Sequence, residues 1–320
     1  MNNITENLVF SLNATVPVFL LMVLGTFFRK IGLLDDHSIK KLNGFVFKAL
    51  LPALLFKDLA SADFAEVWDT KFVLFCFIAT LLCITIAFLI SLVKKDRSER
   101  GEMIQASYRS SAAILGMAFV DNIYGSSSMV APMIIGTVPL YNIAAVTILS
   151  LTSPDNEGKR DPKKLFLKTV KEVASNPIIL GIAVGLVWAA LKIPQPAIMT
   201  KTVSYLANIA TPLSLISLGA SFKIHDVKGK LGTCFGIAAI KLVAFCGLFL
   251  PAAIWLGFRD EKIIAILVML GSATTSSSFI MAKNFGHKGI ITACTIMITT
   301  LLSAFTLTFW LFILKTMHYI

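Results

Sequence analysis

Charge is what this sequence has least of. Only 15% of its 320 residues are charged, with 18 acidic side chains against 29 Lys and Arg, while 56% are hydrophobic and the mean hydropathy is +0.80. A chain so poor in charge cannot clothe a soluble globular surface. Cysteine is scarce as well. Cys76, Cys83, Cys234, Cys246 and Cys294 all fall in apolar stretches, without metal-ligand spacing or a purpose for disulfides, and read as small apolar residues. His37, His225, His287 and His318 lie in or beside polar segments and read as interface residues. The HExxH, GxSxG and DDxxD patterns are missing, so an intramembrane enzyme would lack its nucleophile, metal ligands or diphosphate site. We therefore expect no catalytic residue, no metal and no cofactor, with proton or sodium coupling left open.

Long apolar runs are what the sequence has instead. A bilayer-crossing helix takes about 20 predominantly apolar residues. Ten runs of that kind occur, at 8–28, 40–60, 72–93, 103–122, 128–151, 174–191, 200–222, 232–256, 262–283 and 290–314. The first is preceded by Met1 to Asn7, which carry Glu6 but no Lys or Arg, so it reads as a helix and not as a signal peptide. The expected fold class is all-α integral membrane, with ten transmembrane helices.

The net charge of +11 is unevenly placed. If the N-terminus is outside, the loops that face inward hold Arg29, Lys30, Lys94, Lys95, Arg97, Arg100, Lys223, Lys228 and Lys230 and the whole basic run from Lys159 to Lys171. The other side keeps little beyond Lys71, Lys192, Lys201, Arg259, Lys262 and Lys315. This is the positive-inside pattern, and it predicts a multi-pass protein of the cell membrane with both termini extracytoplasmic. Nucleic acid is not needed to explain the charge.

Shifting the sequence by 160 residues aligns Pro17 with Pro177, Gly25 with Gly185 and Pro52 with Pro212. Ala60 and Ser61 then fall on Ala220 and Ser221 without a gap. Proline removes a backbone donor and restricts the helix around it, so paired prolines at one shift suggest duplication. The reading divides the chain into a first five-helix repeat at 1–151, a cytoplasmic linker at 152–172 and a second five-helix repeat at 173–320. A unit with an odd number of crossings enters the membrane the other way up when repeated. The repeats are thus expected to be inverted, an architecture common among secondary transporters.

The fourth run of each half is poor in large aliphatics and rich in Ser, Thr and Gly. Matched weak segments of this kind point to discontinuous helices that cross at the bilayer midplane, here helices 4 and 9. A broken helix exposes N–H groups at one end, where the dipole favours an anion. Gly116 and Gly271 would permit the unwound backbone, and Ser110, Ser111, Ser272, Thr274, Thr275, Ser276 and Ser277 would supply hydroxyls. Small polar residues that simply let helices pack closely are the competing reading.

Cations inside the runs give a second indication, since a basic group near the bilayer centre costs roughly 2.5–3.5 kcal/mol even on lenient scales. Lys48 and Lys241 lie deep in their runs, while Arg109 and Lys57 lie near enough to an end to extend to an interface. Asp58 and Asp121 are the plain acidic partners. The surplus of positive charge suits a small organic anion, with Arg109 and Lys241 as candidate ligands and Lys48 and Asp121 as charge partners.

Several short motifs carry a resemblance: Asn176-Pro177 opening the sixth run with Gly181 and Gly185 behind it, Gly116 in the fourth, Pro139 with Tyr141-Asn142 in the fifth, and Phe279-x-x-Ala282 with Phe285-Gly286 closing the ninth. In these the chain resembles the auxin efflux carrier family, which includes bacterial malate and malonate permeases. The resemblance implies a scaffold, a transport domain built on crossing helices 4 and 9, elevator-like movement of a carboxylate such as malate or an auxin-like acid, and Asn142 as a substrate contact. It leaves a homodimer open. Family members usually place Asn and Pro where Ser111 and Ala118 stand here, and often a proline at Gly271. Sodium–bile-acid-like symporters are similar in architecture, although their acidic sodium-site signature is not evident. A channel or receptor on the same fold is the remaining alternative.

Overall fold

The computed structural model describes residues 2–60, 68–112, 120, 123–124, 129–154 and 162–320. Among the described residues it is all-helical. Helix α1 (Asn2–Lys30) is followed by a rod of three segments: α2 (Asp36–Phe45), a π-helical turn (Val46–Leu50) and α3 (Leu51–Ala60). Then come α4 (Thr70–Ser91), α5 (Arg97–Tyr108) and α6 (Val130–Leu151). The second half runs α7 (Pro162–Ala174), α8 (Pro177–Ala190) and α9 (Ala197–Ser221). A second three-part rod follows, with α10 (Leu231–Ala239), a π turn (Ile240–Ala244) and α11 (Phe245–Trp255). Helices α12 (Asp260–Gly271), α13 (Ser277–Asn284) and α14 (Ile290–Thr316) complete the chain.

Side-chain caps set many of these starts, because the first amides of a helix have no partner within it. Asp69 accepts from the Phe72 amide at 3.0 Å to open α4, and Asn176 accepts from Ile178 at 2.9 Å to open α8, with Pro177 in the first turn where no donor is missed. Lys262 closes on Asp69 at 2.5 Å, and this hydrogen bond, with that of Phe72, holds the carboxyl below the usual range. Asp96 caps α5, so that helix starts at Arg97, earlier than the apolar run beginning at 103 suggests.

Five of the described helices are long and apolar enough to cross a bilayer: Thr70–Ser91, Val130–Leu151, Ala197–Ser221, Leu231–Trp255 and Ile290–Thr316. The pair Leu167–Ala174 and Pro177–Ala190 qualifies as one further span, bent by 54° at Asn176 and Pro177. The basic stretch expected as a plain link between halves is therefore helical from Pro162 onward. Pro17 and Pro212 lie inside α1 and α9, and Pro52 follows the first π turn.

Helix α1 packs along α9, and α3 along α8. Both contacts use a glycine with no room for a Cβ. One built on Gly25 would stand 2.1 Å from the Ile216 carbonyl oxygen, and one on Gly185 would stand 3.1 Å from that of Phe56. These are the glycines that the shift of 160 aligns, and Ile216 and Phe56 are related by the same shift in the opposite direction.

Candidate functional site

Two interruptions of helix lie side by side in the interior. Helix α5 ends at Tyr108, and residues 109–111 leave helical geometry; α12 ends at Gly271, and 272–276 separate it from α13. The Ser111 amide donates to the Ala273 carbonyl at 3.0 Å, joining one break to the other. Thr274 ties the junction further: its hydroxyl donates to the Ala106 carbonyl at 2.8 Å, and its amide to the Thr299 hydroxyl of α14 at 3.1 Å. Tyr141, from α6, donates to the Met269 carbonyl at 3.2 Å. Chain that has left the helix thus finds partners for its freed groups in its neighbours, as buried backbone must. At Gly271 a Cβ would come within 2.7 Å of the Cys246 sulfur, which explains glycine at that position.

Arg109 stands at the junction and is 3% exposed. Its Nη2 donates to Asn142 Oδ1 and to Ser277 Oγ, each at 3.0 Å, and its Nη1 faces the Met281 sulfur. Its Nε has no partner among the described residues. The expectation that Arg109 could reach an interface is corrected: neighbours enclose the side chain. Lys241 is fully buried on the second π turn, and its ammonium donates to Ser110 Oγ at 2.7 Å.

These groups border a cavity of about 70 Å³, lined by Arg109, Ser110, Ser111, Asn142, Thr275, Ser276 and Ser277 together with Leu51, Leu54, Leu55, Asp58, Ile178 and Thr211. The structure thereby gathers Arg109, Ser110, Ser111, Asn142, Thr275 and Ser276, with Lys241 behind Ser110. Ser272 and Thr274 belong to the same break but turn into the packing; the Ser272 hydroxyl is buried without a partner. Gly116 and Asp121 lie outside the described residues.

Lys48 does not join this group. It is exposed on the first π turn and lines a separate, larger cavity of about 850 Å³ with Arg29, Lys40, Lys223, Lys283 and Lys288, opposite a single acidic residue, Asp36, among the described lining. Depth counted along a helix says nothing about which side opens to water, and here the rod turns Lys48 to a wet face.

Three buried groups escaped sequence reasoning. Glu102 accepts from the Gly289 amide at 2.7 Å and from the Thr292 amide at 3.1 Å, capping α14 from another helix. Gln105 donates to the Ser278 carbonyl at 3.0 Å. His287 is 2% exposed, not an interface residue, and its ring nitrogens meet the Leu149 carbonyl at 3.0 Å and the Ser98 hydroxyl at 3.1 Å. A polar residue at the edge of an apolar run carries no mark of which distant backbone it will serve.

A family model described as "Membrane transport protein" matches residues 10–311. The chain belongs to that family, the auxin efflux carriers. It is similar to the "Putative malonate transporter" of Rhizobium meliloti, at 24% identity over 305 residues covering 94% of this chain and 95% of that one. It is also similar to an "Uncharacterized transporter" of Methanothermobacter thermautotrophicus, at 21% identity over 303 residues, 94% of this chain and 97% of the other. A third relative, from Methanocaldococcus jannaschii and bearing the same description, is 25% identical over 240 residues, 71% of this chain and 73% of its own. The auxin efflux carriers are transporters, and this member is a multi-pass membrane protein.

Proposed function

We propose that this carrier moves a small organic anion, a mono- or dicarboxylate of the size of malonate or malate, across the cell membrane by alternating access. The observation that carries the reading is Arg109: a guanidinium enclosed by protein, its Nε without a partner among the described residues, beside a cavity edged by six Ser and Thr hydroxyls and the Asn142 amide. A planar cation with spare donors matches a carboxylate, and the hydroxyls can satisfy its remaining lone pairs. Size supports the smaller acids. A cavity of about 70 Å³ has room for roughly five waters, a volume suited to a few heavy atoms and not to an indole ring or a sterol. The name of the Rhizobium relative points the same way.

The ten-span reading assigns the two three-part rods, the α5 break, the bent α7–α8 pair and the α12–α13 pair one crossing each. For two five-helix repeats, the glycine contacts support a pseudo-two-fold relation between the halves, since Gly25 on Ile216 and Gly185 on Phe56 exchange places under the shift; the inversion itself rests on the odd number of crossings in each repeat. The panel of α1, α9, α3 and α8 then serves as scaffold, and the crossing segments with Arg109 travel against it in an elevator-like motion. On this reading both termini are extracytoplasmic, and the basic cavity opens to the cytoplasm.

The test is counterflow in proteoliposomes loaded with unlabelled malonate, malate or lactate. A carrier accumulates the labelled acid transiently by exchange, whereas a pore gives flux with no trans-stimulation. Absence of exchange for every small acid tried, in protein that remains folded, refutes the proposal.

A further inference from the structure

The anion cavity contains a carboxylate of its own. Asp58, on α3, lines it together with Arg109 and is the only acidic side chain among its described lining residues. It has no hydrogen bond or ion pair among the described residues; the charge that bears on it is that of its neighbour Lys57, which also donates to Asn208 at 3.1 Å. The other charged or titratable groups around the cavity are Arg109 after α5, Tyr141 on α6 and Lys241 behind Ser110. Helices α8, α9 and α13 bring only Ile178, Thr211 and the Ser276 and Ser277 hydroxyls.

An acid at this position conflicts with the substrate. In a cavity with about 70 Å³ of free space a bound carboxylate would share the cavity with Asp58, and two carboxylates that share a site do not both stay ionised. We propose that Asp58 is the proton-coupling residue of the carrier, protonated whenever an anion occupies the Arg109 site, so that each carboxylate moves with one proton. The inference rests on the functional reading above. The proton comes from the bulk solution on the loading side, rides as the neutral Asp58 acid while the substrate carboxylate faces Arg109, and leaves to the opposite side with the substrate.

Lactate is a suitable probe, because its own carboxyl is fully ionised between about pH 6 and pH 8, where the coupling matters. Its affinity for the purified protein is measured by thermal shift across that range, and proton uptake on binding is followed with a pH-sensitive dye in weak buffer. The expected result is proton uptake on binding, with affinity weakening by up to about tenfold per pH unit on the alkaline side. In Asp58→Asn, which resembles the protonated acid, the pH dependence and the proton uptake should both vanish while the affinity of the acid state persists. The inference is overturned if the unmodified protein binds lactate with no proton uptake. It is equally overturned if the acid dependence survives in D58N and disappears in Lys241→Met, since the proton would then belong to the ammonium. Binding of neither lactate nor malonate at any pH would refute the functional reading itself, and the coupling with it.

Discussion

The backbone amide of Ser111 donates to the carbonyl of Ala273 at 3.0 Å, across 162 residues of sequence. One hydrogen bond thereby links the only two places where α5 and α12 stop being helical in the interior of the described molecule. It fixes the hydroxyls of both segments around the same few cubic ångströms, and it places Arg109 next to Ser277 from the opposite half of the chain.

Replacing Arg109 tests the site directly. Arg109→Lys keeps the charge but loses the planar fork, and Arg109→Met loses both. Charge-assisted hydrogen bonds contribute about 1.5–3 kcal/mol, so R109M should weaken carboxylate affinity by about tenfold or more, with R109K between it and the parent. Titration of thermal shift with malonate reads this; equal affinity in all three proteins would remove Arg109 from the site.

Lys241 and Ser110 form a buried pair in which the lysine has no other hydrogen-bond partner among the described residues. Ser110→Ala should destabilise the protein by about 1–3 kcal/mol, because it strands a buried ammonium. Lys241→Met in the S110A background should recover much of that loss, an apolar side chain of similar length fitting the same space. A double-mutant cycle in denaturant or heat gives the coupling, and additive effects would contradict it.

The glycine contacts predict matched damage in the two halves. Gly25→Ala forces a methyl onto the Ile216 carbonyl, and Gly185→Ala presses one onto Phe56 more mildly. Overpacking of this kind costs about 1–3 kcal/mol, so both variants should melt earlier, G25A by the larger margin. Comparing the two melting curves checks the order.

Asp69 gives a pH-dependent prediction outside the bilayer. Lys262 and the Phe72 amide hold its carboxyl below the ordinary value, so its stabilisation is complete above the unfolded pKa of about 3.9 and is lost as pH falls through the lower folded value. Asp69→Ala should therefore cost about 1 kcal/mol at neutral pH, with the gap from the parent closing below about pH 4. Melting temperature against pH, for both proteins, is the measurement.

Helical class was legible because bilayer physics allows little else for apolar runs of this length. The expectation of discontinuous helices pointed to Gly271 and the hydroxyl run after it, where residues 272–276 separate α12 from α13, and to the neighbourhood of Gly116, which lies outside the described residues. What sequence could not supply was direction around a helix axis. Lys48 and Lys241 look alike as lysines deep in apolar runs, and both sit on π turns, yet one faces an open cavity and the other is sealed against Ser110. Arg109 was expected within reach of an interface because a count along an apolar run does not show the neighbours that enclose a side chain. Glu102 and His287 acquire their roles from backbone groups more than a hundred residues away, a relation with no local signature.

If the cargo is the small anion proposed above, the broad basic cavity beside Lys48, Lys223 and Lys288 makes the two faces of the carrier kinetically unequal. A field of one sign gathers anions before they touch any hydroxyl, and mobile ions weaken it over a Debye length of about 8 Å at physiological salt. Loading from that face is thus governed by ionic strength while the enclosed guanidinium is not, so a symmetrical equilibrium is approached at unequal speeds from its two ends, and salt becomes a throttle on one direction of exchange.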